Sequence, residues 1–347
     1  MRRLSASLRE LATFLIALGL VLASLVFTPS AAVADTSYRV GQSPVAIAVD
    51  SVGTVYVANE GSGTISRLTA QGVSTLVDLS PQKPRELAVD SQNRLFVATR
   101  SGSVLIVGAD GTTTSFASVG KNSGALVFDS AGNLYSANTL SNSISKITPD
   151  GVASIYATVG SAPTSIVFDS QNNLYSTNSL DGTVSKVTPN GIVTTEFAFV
   201  GLRPTSMVRD NSNNLYVANG DDNSISKITP TGLVSTLATV GKSPEAISID
   251  SAGNLYTANF KDNTVSKVTQ SGIVATYAVT GAGPIALAAF TDFFYTVNNI
   301  DQSITKIEPA SPKPGAPRSL AATTNSSLAS SLSWQSPIDN AGSAVTN

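Results

Sequence analysis

The chain has 347 residues with 21 basic and 23 acidic side chains and a net charge of −2, which leaves no electrostatic footprint for nucleic acid or an anionic membrane. It contains neither cysteine nor histidine, so disulfides, thiolate nucleophiles, His-ligated zinc and every histidine-based triad or general base are excluded. Chemistry is left to Asp, Glu, Lys, Tyr, Ser and Thr.

The first element is apolar. Arg2, Arg3 and Arg9 precede the run "LATFLIALGLVLASLVF" (Leu11 to Phe27), and Ala32-Val33-Ala34 supplies small residues before Asp35. This reads as a secretory signal cut after Ala34, by the general export route. An uncleaved membrane anchor is the competing reading, because the run is long for a signal core. The expected location is therefore secreted or cell-surface, with no membrane span once the signal is removed.

From there the chain repeats itself. The aromatic of the phrase "NLY" recurs at Tyr56, Phe96, Tyr135, Tyr175, Tyr216, Tyr256 and Tyr295, in steps of 39 to 41 residues. Pro44, Pro84, Pro163, Pro204, Pro244 and Pro284 open six of the seven copies. A period of this size means stacked supersecondary units. Each unit reads as four short strands. In the fourth copy these are "TSIVFD", "LYSTN", "TVSKVTP" and "IVTTEFAFVG", with Asp, Asn and Gly in the turns between them, the residues that tolerate positive φ or hydrogen-bond their own backbone. Four antiparallel strands repeated about a ring define an all-β fold, a seven-bladed β-propeller.

The seventh copy stops after its third strand, at "SITKIEPASPKPG". The segment "TSYRVGQSP" after Ala34 matches the fourth-strand endings "IYATVGSAP" and "LATVGKSP". Residues near Tyr38 are therefore expected to supply the missing outer strand and close the ring, leaving no open edge at the seam. This assigns 1–34 to the signal, 35–310 to the propeller, 311–318 to a Pro-rich linker and 319–347 to the start of a further domain.

"SPVAIAVDSVGTVYVAN" (Ser43 to Asn59) and "SPEAISIDSAGNLYTAN" (Ser243 to Asn259) resemble the NHL repeat, and the whole array is similar to the streptogramin (virginiamycin B) lyase propellers. The tail, with Trp334 in "LSW" and the later "DNAGSAVT", resembles the beginning of a fibronectin type III domain, a truncated β-sandwich. The chain is accordingly expected to be a piece of a longer protein. The lyase resemblance implies a histidine-dependent, metal-assisted elimination, and this chain has no histidine to fill that role.

Candidate chemical groups fall into repeated and unrepeated sets. Asp50, Asp90, Asp129, Asp169, Asp210 and Asp250 end the first strands. They suit turn caps better than a metal ring, since one site needs one constellation rather than six copies. Asn59, Asn138, Asn178, Asn219, Asn259 and Asn298, and the third-strand cations Arg67, Lys146, Lys186, Lys227, Lys267 and Lys306, are expected to tie blade to blade by hydrogen bonds. Among the unrepeated residues, Arg209 stands where other blades place Val49, Val89, Phe128, Phe168 and Ile249. A charge there needs pairing or water. Lys83, Arg85, Lys121, Arg203 and Lys242 lie in blade-to-blade loops, with Glu60, Asp181, Asp221, Asp222, Asp262 and Asp301 in other loops of the same face. That face is expected to be basic near the axis and acidic toward the rim. Lys83, Arg85, Arg203, Arg209 and Lys242 are the candidate ligand-binding residues, and a small anion over the channel mouth is one ligand they could take.

Three functions follow as expectations. The leading one is a non-catalytic binding or scaffold module, monomeric, without cofactor or metal, recognising an extracellular protein or a glycan through the face of the blade-to-blade loops. The second is a lyase-like enzyme. The third is a lactonase-like calcium site, for which Glu86 and Glu245 are the inner-face glutamates.

Overall fold

The computed structural model describes residues 34–291 and 293–308, and the strands at 318–325 and 329–335. Blade 1 contains β2 (Pro44–Val49), β3 (Val55–Asn59), β4 (Thr64–Thr69) and β5 (Gly72–Asp78), hydrogen-bonded in that order. Blades 2 to 6 repeat it as β6–β9 (84–118), β10–β13 (123–158), β14–β17 (163–199), β18–β21 (204–239) and β22–β25 (244–279). Blade 7 has the order β1 (Ala34–Arg39), β28 (Ser303–Ile307), β27 (Phe293–Asn298), β26 (Pro284–Phe290). The seam is therefore closed by the strand that contains Tyr38, which pairs with Ile304. The seven-bladed propeller is confirmed at every blade.

Ring closure follows from the contacts of the first strands. Each touches its neighbour around the circle, β2 to β6, β10, β14, β18, β22, β26 and back to β2. The hydrophobic core is divided the same way, into seven clusters with one at each blade-to-blade interface. Tyr135, Ala137 and Ile144 of blade 3, for example, pack with Ile166 and Leu174 of blade 4. Because both faces of a blade are covered by neighbours, the second strands of blades 1 to 6 are buried at every residue, as in "LYSAN", and that of blade 7 at all but Phe293. This is why they read as continuous runs rather than as alternation.

Outside the ring, β29 (Arg318–Asn325) and β30 (Ala329–Gln335) pair antiparallel. The segment before Ala34 that reads in sequence as a signal, and the residues after Gln335, lie outside the described residues.

Candidate functional site: the crossover face and the channel

Every first strand starts at the crossover from the previous blade and ends at a tight turn. One face of the ring therefore carries the crossovers together with the loops between second and third strands. The other face carries the tight turns.

On the turn face the aspartates are used up locally. Asp129 Oδ1 accepts the N–H groups of Ala131 and Asn133, both at 2.9 Å, and Oδ2 accepts the Asn133 amide at 2.8 Å and the Tyr135 hydroxyl at 3.2 Å. Asp169 and Asp210 repeat the pattern in full. Burial works to raise these carboxyls, but the bonds from Asn133, Asn173 and Asn214 outweigh it and hold them below the usual carboxylate range. The tyrosine partners move the other way. Burial first, then Asp210, pushes Tyr216 up to about 12. The aspartates are thus turn caps. Among the described residues no group of three or more acidic, His or Cys side chains stands where it could hold a metal ion.

Arg209 is on this turn face, at the end of β18 (Pro204–Arg209). Its Nη1 donates to the Asp210 carbonyl at 3.1 Å and to Asn213 Oδ1 at 2.9 Å, rather than pairing with the Asp210 carboxylate. It borders a groove of about 350 Å³ with Tyr216, Asp250 and Gln270. Arg203 precedes the same strand at its other end, and at ~3.3 Å per residue the two lie roughly 20 Å apart along it. The structure does not bring Arg209 together with Arg203 and Lys242, because a strand running from face to face separates its two ends.

The crossover face is built around one asparagine in each of six blades. Asn178 Nδ2 donates to Thr183 Oγ1 at 2.9 Å and Ser185 Oγ at 2.8 Å, both on the third strand of its own blade. Asn138, Asn259 and Asn298 do the same. The incoming crossover presses a glycine against this asparagine. A Cβ at Gly241 would come within 2.5 Å of Asn259 Nδ2, so only glycine fits. Blade 2 departs at both partners, with Pro81 in the place of the glycine and Thr99 in that of the asparagine. The asparagines therefore act inside their blade and do not tie one blade to the next as expected. The third-strand lysines do not either. Lys146, Lys186, Lys227 and Lys267 lie 5.4 to 5.7 Å over the rings of Tyr135, Tyr175, Tyr216 and Tyr256, their cross-strand partners. Arg67 does bridge blades, donating to the Ala109 carbonyl at 2.9 Å.

Charges on this face are largely paired among themselves. Asp222 and Asp262 accept the N–H groups of Leu202 and Lys242 at 2.6 and 2.7 Å, and Asp181 and Asp301 do so for Ser161 and Ala282. Arg203, at φ 52°, donates to Glu245 from Nη1 at 3.0 Å and Nη2 at 2.7 Å, and to Asp221 from Nε at 2.8 Å. The Glu245 bonds raise its pKa further, more than burial lowers it. Glu60 takes Arg85 at 2.9 Å and Arg100 at 2.7 Å. Burial alone would raise Glu60, but the two arginines hold it below the usual range. Of the candidate residues, Arg85 and Arg203 are thus internal braces. Lys83 and Lys242 are exposed and make no ion pair among the described residues. The expected gradient, basic at the axis and acidic at the rim, is replaced by Arg–carboxylate pairs.

The channel mouth itself holds a carboxylate. A cavity of about 230 Å³ at the start of the first strands is lined by Glu86 and Glu245, by the hydroxyls of Thr164, Ser165, Thr205 and Ser206, and by small aliphatic residues. Burial pushes the Glu86 carboxyl up to about 8, against the opposing pull of Arg85 and the Leu87 N–H. Leu140, Leu180, Leu202 and Ile300 stand 60 to 81% exposed on the loops of this face. Sequence reasoning named Glu86 only as an inner-face glutamate and passed over the leucines. The signal was available in the repeat alignment, where Glu86 replaces an Ala or Ser found in the six other blades.

Fold and face together define a seven-bladed propeller with a polar axial cavity opening among apolar loops. The chain belongs to the virginiamycin B lyase family, whose model matches residues 109–312. Solved structures agree on the fold. The virginiamycin B lyase of Staphylococcus aureus is 17% identical, at a TM-score of 0.67, over 79% of this chain and 99% of that one. A catalytically inactive histidine-to-alanine variant of that lyase, solved with quinupristin, is 18% identical at 0.67, over 79% and 99%. The extracellular domain of a putative hybrid two component system of Bacteroides thetaiotaomicron is 14% identical at 0.64, over 88% of this chain and 45% of that one. No curated protein matches.

Proposed function

We propose that this chain is a secreted or cell-surface binding propeller that does no chemistry and takes its ligand, a protein or glycan, on the crossover face. The observation that carries the reading is the absence of histidine from all seven blades. A lyase of the same fold is catalytically inactive once a histidine is replaced by alanine, so this family member lacks the residue type on which that chemistry depends. The exposed apolar loop residues Leu140, Leu180, Leu202 and Ile300, on the same face as a concave axial cavity, support binding there. The likeness to extracellular sensor domains supports an extracellular place.

Family membership favours the second reading, a lyase. One experiment separates the two. Quinupristin is incubated with the protein and chromatographed, and the protein is applied to arrays of glycans and of cyclic and linear peptides. The expected outcome is unchanged quinupristin, with array binding that Leu140→Asp and Leu180→Asp remove. Catalytic opening of quinupristin overturns the non-catalytic reading. Array binding that both substitutions leave intact overturns the assignment of the face.

A further inference from the structure

The residues two beyond the start of each first strand form one layer of the channel. Six are small, Ala46, Ala125, Ser165, Ser206, Ala246 and Ala286, and only blade 2 places a long side chain there, Glu86. The small residues leave the axis open and the carboxylate reaches into it. The second ionisable group of the cavity, Glu245, has both oxygens held by Arg203. No lining side chain is cationic, and Arg85, adjacent to Glu86 in sequence, gives its Nη1 to Glu60. The cavity therefore has a carboxyl group without an ion-pair partner, several hydroxyls and no cationic side chain. We propose that the channel mouth binds the ammonium head of an organic cation, seating it on Glu86 while its carbon skeleton lies against the apolar loops.

The chemistry matches an ammonium better than a metal ion. A primary ammonium offers three donors, and Glu86 with the Ser165 and Ser206 hydroxyls offers three acceptor groups in one layer. Ser165 Oγ already accepts the Met207 N–H at 3.2 Å and has a lone pair left. A hard divalent cation takes six or more oxygens, usually with several carboxylates, and here one carboxylate is free. A cavity of about 230 Å³ suits a head group, since whole small ligands occupy roughly 300–1,000 Å³. The leucines and Ile300, exposed on loops of the same face, offer apolar surface to the remainder.

Binding has a proton signature. With its carboxyl near 8, Glu86 is mostly protonated at neutral pH. An ammonium requires the ionised form, so its binding expels a proton and strengthens as pH rises. The groups facing Glu86 are Arg85 and Glu245, both engaged in ion pairs, and the remaining lining residues do not titrate.

This inference names the ligand class for the face assigned above and rests on that assignment. n-Hexylammonium chloride and 1-hexanol are titrated calorimetrically into the parent in phosphate and in MOPS near neutral pH, and calcium chloride in MOPS alone. The amine is expected to bind roughly tenfold or more tightly than the alcohol. Its enthalpy should differ between the buffers by the release of up to about one proton, and its affinity should rise from about pH 6 to about pH 9. Glu86→Gln, close in shape, and Glu86→Ser, which restores the repeat, should each weaken amine binding roughly tenfold or more while circular dichroism stays unchanged. Equal affinity for amine and alcohol overturns the proposal, as does undiminished amine binding by Glu86→Gln. Calcium binding in the absence of amine binding also overturns it. In each of these cases the array result for the leucine variants still decides the wider reading of the face by itself.

Discussion

Val217 stands two residues before Asn219 on β19 (Leu215–Asn219), and because it has no hydroxyl the buried Asn219 Oδ1 has no donor. Blade 1 has the same pair, Val57 and Asn59, and the same unsatisfied oxygen. In four other blades Ser136, Ser176, Thr257 and Thr296 fill the need, donating to their asparagines at 3.0 to 3.1 Å. Val217→Thr should therefore stabilise the protein by about 0.5–1.5 kcal/mol, the worth of satisfying a buried acceptor, and Thr257→Val should cost a similar amount. Thermal unfolding of both variants checks the pair. A lower melting temperature for Val217→Thr would show that the methyl packing matters more than the hydrogen bond.

The glycine that six of the seven crossovers share is required by space rather than by φ. A Cβ on Gly241 would meet Asn259 Nδ2 at 2.5 Å and Asn259 Cβ at 2.9 Å. Gly241→Ala should destabilise by about 1–3 kcal/mol, as overpacking does. Combining it with Asn259→Thr, which copies the residue type of blade 2, should recover part of the loss. Denaturant melts of the single and double variants measure the coupling. Additive effects would mean that the two residues are not in the contact described.

Glu86 should make stability fall as pH rises. Its carboxyl goes from an ordinary value near 4.5 to about 8 in the folded protein. The folded state thus binds a proton that the unfolded chain has already lost. The contribution is fully present below about 4.5 and is lost as pH passes through about 8. Parent and Glu86→Gln should diverge across this window, the variant being the more stable at the alkaline end by an amount of order 1–3 kcal/mol, reduced by channel water. Parallel pH profiles for the two proteins would show that the carboxyl titrates normally.

The seam depends on β1. Tyr38 and Val40 pack against the cluster that holds Val297 and Ile304, and the Val40 N–H donates to the Gln302 carbonyl at 2.9 Å. Removing Asp35 to Gly41 bares the edge of β28 and should cost roughly 3–5 kcal/mol. It should also promote self-association through the exposed strand. Calorimetry and sedimentation of the truncated protein test both effects. A truncated protein that melts with the parent would disprove closure by this strand.

What the sequence determined by itself was the blade. The period between aromatics, the Asp and Asn of most turns, the glycine three residues before six of the seven first strands and the echo of "ATVG" near Tyr38 are local signals. They work within about forty residues, because turn caps and strand pairing involve near neighbours in the chain. The aspartates could be read as caps for the same reason. What the tertiary structure decided was which charges meet. Arg203 finds Glu245, forty-two residues on, only because ring closure sets consecutive first strands side by side. Arg209, six residues from Arg203 in sequence, is carried to the opposite face by the strand between them. Glu86 is left alone on the axis for a related reason. The other six blades bring small side chains to its level, and the single Glu245 beside it is already held by an arginine from the preceding crossover.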